Sequence, residues 1–124
     1  MSEAVEANLN GKVLRLDPRR RIATVAVPSV GQGRSFRADY PAALGQTLAR
    51  VVERCHGFPH QRTAGGVAAV RPTDKGAEVE LHITDDTTWQ RLATGDSSVA
   101  VHCTFAGAVG ADPYGGRVQH VELS

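Results

Sequence analysis

The apolar and polar positions of this chain alternate in several short runs, and one run departs from that rhythm. The clearest alternation spans residues 77–83, where Ala77, Val79, Leu81 and Ile83 take one face and Glu78, Glu80 and His82 take the other. Successive side chains of a strand point to opposite faces, so this run predicts a strand with one buried side. Residues 97–105 repeat the pattern. Val99, Val101, Cys103 and Phe105 share one face, and Ser98, Ala100, His102 and Thr104 share the other. Gly11 to Leu16 and Arg21 to Val27 read as two strands joined at Asp17-Pro18-Arg19-Arg20, where Asp and Pro favour a turn. Gly66 to Val70 and Arg117 to Leu123 complete a set of about six strands, with Pro72 to Gly76 as a hairpin turn.

The departure lies at residues 41–55. Leu44, Leu48, Val51, Val52 and Cys55 recur at helical spacing, behind Asp39 as a cap and Pro41 in the first turn. This predicts a main helix ended by Gly57-Phe58-Pro59. A second, short helix is predicted from Thr84-Asp85-Asp86 through Trp89 and Leu92, closed by Gly95. The expected fold is therefore α+β and mostly β: a small antiparallel barrel or strongly bent sheet with one main and one short helix. Residues 1–10 read as a flexible arm and residues 11–124 as one domain, with no internal repeat or linker.

Composition narrows the choice of function. A chain of 124 residues suits a single domain with its own core. Its formal net charge of +1 offers no global field toward nucleic acid or an anionic membrane, and neither is expected as a partner. The run Arg19-Arg20-Arg21 is short and suits a solvated turn. The opening Met1 to Glu6 lacks a signal peptide's apolar stretch, and no apolar run has the length of a membrane span. Two cysteines, Cys55 and Cys103, make no disulfide framework.

The order of elements from residue 56 onward resembles the prohead, or capsid-maturation, protease family of tailed phages, which has the assemblin-type fold. The resemblance rests on a series: His60 in a loop after a helix, then Gly66-Val67-Ala68-Ala69-Val70, then Gly76 to Ile83. The series continues with Asp85 to Asp96 around Trp89 and Gly95, and closes on Val121-Glu122-Leu123-Ser124. It covers residues 56–124 in detail and 11–50 by element order. In such a family His60 would be the general base. The nucleophilic serine would fall six positions past Gly95, where this chain carries Val101. Valine has no hydroxyl to deprotonate. The resemblance thus implies a protease-like domain without peptidase chemistry: a structural or assembly component of a phage or phage-derived particle. Its partners would be capsid or scaffold proteins and further copies of itself, in the host cytoplasm or on the particle.

Two other readings stand beside this one. The chain could be an active endopeptidase with a displaced nucleophile, either Ser98 or Cys103, and His60 as base. Ser98 lies on the opposite strand face from Val101, and Cys103 reads equally as a buried small residue. His120 matches the second histidine that herpesvirus members of this fold place in a triad, and reads otherwise as a surface histidine. The chain could also be a β-barrel binding module unrelated to proteases. No cofactor or metal is expected. His60, His102 and His120 are of the right kind for zinc, but their non-local spacing does not identify a site.

Overall fold

A computed structural model describes residues 2–28, 50–54, 61–108 and 114–124. Seven strands and one helix follow in the order β1 (Ser2–Asp17), β2 (Ile22–Pro28), β3 (Arg50–Arg54), β4 (Gln61–Thr73), β5 (Gly76–Ile83), α1 (Asp86–Thr94), β6 (Val99–Ala108) and β7 (Tyr114–Leu123). The strands close into a barrel in the order β1-β2-β5-β4-β3-β7-β6. The mostly β, α+β class expected from the alternation is the class observed. The β3–β7 pair is parallel and the other six ladders are antiparallel.

The barrel interior is the core. Val25, Val51, Val67, Val79, Leu81, Ile83, Val101, Val118, Val121 and Leu123 are its largest fully buried apolar residues. Ala77, Val79, Leu81 and Ile83 all face inward, as their alternation predicts, while His82 is exposed. The outward carboxylates of that strand meet arginines: Glu78 accepts from Arg15 of β1, two strands away, at 2.9 Å, and Glu80 lies 3.1 Å from Arg71 of the adjacent β4.

Two expectations are corrected here. Residues 2–10 are part of a strand and not an arm, because Ser2 to Gly11 pair along β6 from Ala108 to Val99. Ala7 and Leu9 pack against the core, with the polar Glu6, Asn8 and Asn10 between them. Arg50–Arg54 is strand β3 and not the end of a helix. Val51 and Val52 fit a helical face, but they are β-branched and fill a strand equally well. Both valines are buried, and the ladder to β4 gains one residue, Ala64, opposite them. The rest of the expected helix, including Leu44, Leu48 and Cys55, lies outside the described residues.

Helix α1 forms as its caps predict. The Asp85 side chain accepts from the Thr88 backbone N–H, and Gly95 closes the helix in the left-handed conformation at φ 80°. Thr88, Trp89 and Leu92 are its buried residues. Thr88 donates its hydroxyl to the buried Glu53 of β3 at 2.9 Å, and Arg91 pairs with the same carboxylate. At the β1–β2 turn, Asp17 accepts from the Arg19 and Arg20 N–H groups. Arg21 then bonds Asp86 at 2.6 Å and lies over Trp89, tying this turn to the helix.

Gly65 marks a close backbone approach within the sheet. A side chain there would collide with the carbonyl oxygen of His82, a backbone atom that cannot rotate away. Outside the barrel, the β1 ladder shifts register between Val13 and Arg15, and the extra residue, Leu14, is 45% exposed.

Two leucine substitutions test this inside–outside assignment. Leu81→Ala removes a side chain with no exposed surface and is expected to cost about 2–5 kcal/mol. Leu14→Ala is expected to stay within about 0.5 kcal/mol of the parent. Urea unfolding of both variants measures the contrast, and equal effects would contradict the assignment.

Candidate functional site

Strand β6 carries Val101 and Cys103, with Ser98 just before its start, and its ladders fix where Val101 and Cys103 point. On one side Val101 pairs with Leu9 of β1, and on the other with Val121 of β7. Val99, Val101 and Cys103 are all buried in the barrel interior. The position at which the resemblance expects a serine therefore faces the core.

Cys103 lies in the same interior, 2% exposed. Its thiol lies 3.7 Å from the carbonyl oxygen of Val101, to which it donates. Burial pushes the thiol up to about 12, so it stays protonated at neutral pH. A protonated, enclosed thiol is a packing group and not a nucleophile.

Ser98 faces outward and is exposed. Its backbone exchanges two hydrogen bonds with Ser124, at 2.8 and 3.0 Å. The cleft beside it is lined by Asn10, Gly11, Val13, Leu92, Gly95, Ser97 and Val99, and none of these is a base. His102, the histidine on the same face of β6, is four residues farther along, about 13 Å at strand rise. His60 lies outside the described residues, so its place relative to Val101 and Ser98 does too.

The face of β6 opposite the core holds a different grouping. His102 pairs directly with His120 of β7. Their rings stack with centroids 4.1 Å apart and planes 14° from parallel. Glu122, two residues beyond His120, brings Oε2 within 3.4 Å of His102 Nε2. One ligand-type atom from each of the three lies within 4.8 Å of the others. The ladder gains one residue on β7 here, since His102 pairs with His120 but Cys103 pairs with Val118. This bulge at Gln119 keeps Val118 in the core while turning His120 to the outer face. Partial burial, with the neighbouring His102, holds His120 below the ordinary histidine value, and Glu122 acts in the opposite direction.

Of the four residues singled out for catalysis, His120 is brought together with another histidine and a carboxylate. Ser98 joins neither of them, and Cys103 lines the depression beside the two histidines while its side chain stays buried. The role of Glu122 was not foreseen. Its signal was available, since His120 and Glu122 sit at i and i+2 on a strand and must share a face. What the chain did not reveal was which strand lies alongside.

A larger open groove than this depression lies elsewhere among the described residues. It runs between Asn10, Lys12 and Leu14 of β1, Ala26 to Pro28 of β2 and Thr73 to Glu78 around the β4–β5 turn, with a volume of about 570 Å³. Its described lining has no histidine, cysteine or serine. No family model, curated protein or solved structure matches this chain.

The state of Cys103 is directly testable. In a Cys55→Ser background, iodoacetamide at pH 8 is expected to leave native protein unmodified over a time that fully alkylates it in denaturant. Mass spectrometry reads the difference. Rapid modification of the native protein would contradict an interior thiol.

Proposed function

We propose that this chain is a structural or assembly domain of a phage or phage-derived particle, related to the prohead proteases but without peptide hydrolysis. The observation that carries the non-catalytic part is the orientation of β6. Residue 101, where the resemblance expects the nucleophile, points into the packed interior and is a valine. A serine protease needs its hydroxyl in solvent contact, within reach of a histidine, with donors aimed at the oxyanion. Neither substitute meets this need among the described residues. Cys103 is enclosed and protonated, and Ser98 has no base in its cleft.

The same observation favours a second reading. An inward position 101 is out of phase with a family that must expose its nucleophile. A β-barrel binding module with no protease ancestry accounts for that phase without any loss of function. The ordered series from His60 to Ser124 supports the first reading, and the phase of β6 supports the second.

Both readings predict no endopeptidase activity. Purified full-length protein, incubated with capsid and scaffold proteins from its own source, is expected to leave them uncut on denaturing gels. Clean cleavage that disappears in His60→Ala would establish the active-enzyme reading instead. Co-sedimentation with assembled capsid or scaffold particles separates the two non-catalytic readings. Association is the expected result for an assembly domain, and its absence would leave the unrelated binding module.

A further inference from the structure

We propose that His102, His120 and Glu122 form a binding site for a first-row divalent metal ion, zinc being the leading candidate, on the outer face of the β6–β7 ladder. The inference is independent of any relation to phage proteases.

Three features carry it. The first is donor type. Two imidazoles and one carboxylate suit zinc, copper, nickel and iron, and two histidines with a glutamate are a known three-ligand set for zinc with one position left open. The second is convergence. The three donors come from directly paired strands, and their ligand atoms already lie within 4.8 Å of one another. Metal–ligand bonds to these atoms are about 2.0–2.2 Å long, which puts tetrahedral donors roughly 3.3–3.6 Å apart, so the donors must close by up to about an ångström around an ion. The third is the bulge at Gln119, which sets His120 opposite His102 while Val118 remains in the core.

The surroundings suit an ion with an open coordination position. All three side chains are partly exposed, and a depression of about 370 Å³ borders the two histidines. Glu6, Asn8, Thr104 and Gln119 also line it, together with Ala7 and Cys103. Arg50 of β3 sits beside His120 in the parallel ladder and places one positive charge nearby, against the negative charges of Glu6 and Glu122. The fourth ligand is then water or a group brought by a partner. Bound metal would clamp β6 to β7 from outside the barrel.

Cobalt(II) is the direct probe, because its visible absorption reports histidine and carboxylate ligation, and zinc then competes for the same site. Titration of the metal-free full-length protein is expected to show one saturable site that zinc displaces. His102→Ala, His120→Ala and Glu122→Gln are each expected to weaken it by more than about tenfold. His56→Ala/His60→Ala is expected to leave it unchanged. Thermal melts without metal establish that each variant is folded, as expected for partly exposed positions. Absence of saturable binding would overturn the proposal. So would binding that survives His102→Ala/His120→Ala, which would place the ion on other histidines.

Discussion

Everything in this molecule depends on β1 reaching two partners. Its first ten positions pair with β6, and Lys12, Val13, Arg15, Leu16 and Asp17 pair with β2. That one long strand joins the ends of the sheet and turns it into a barrel. An open sheet would leave β2 and β6 with unpaired backbone donors and acceptors along an edge, a template for aggregation. Closure removes those edges and defines an interior. Once the interior exists, strand alternation sorts each residue into core or surface, with no intermediate choice.

That sorting decides the chemistry. On β6 it sends Val99, Val101 and Cys103 inside and His102 outside. Shifting the strand by one residue would exchange the two sets, burying a histidine and exposing a thiol. The apolar lining opposes such a slip, because Val101 packs with Val121 and Leu9 as its ladder partners. Reactivity at Cys103 and proximity of His102 to His120 are therefore linked consequences of one register. The helix makes its contribution through β3. Its Thr88 and Arg91 hold the buried Glu53 carboxylate, and a buried charge without such partners would be costly.

Much of the barrel was legible in the sequence where alternation was strict, as at residues 77–83. The caps of α1 were legible too, because Asp85 and Gly95 act locally. The N-terminal strand was missed because Glu3, Glu6, Asn8 and Asn10 dominate a reading of composition, although Val5, Ala7 and Leu9 alternate with them. The strand at Arg50–Arg54 was missed because adjacent β-branched valines satisfy two periods at once. Strand pairing was beyond reach, since it depends on contacts remote in sequence. The His102–His120–Glu122 grouping follows from β6 lying beside β7 and from a one-residue bulge, and neither is written in the local pattern.

The register of β6 is thus the central claim, and nuclear Overhauser contacts across its two ladders test it most directly. The account predicts contacts between the His102 and His120 ring protons, and between Val101 and both Leu9 and Val121. Contacts joining Val101 to His120, with His102 found among the core methyl groups, would mean a one-residue slip and would contradict it.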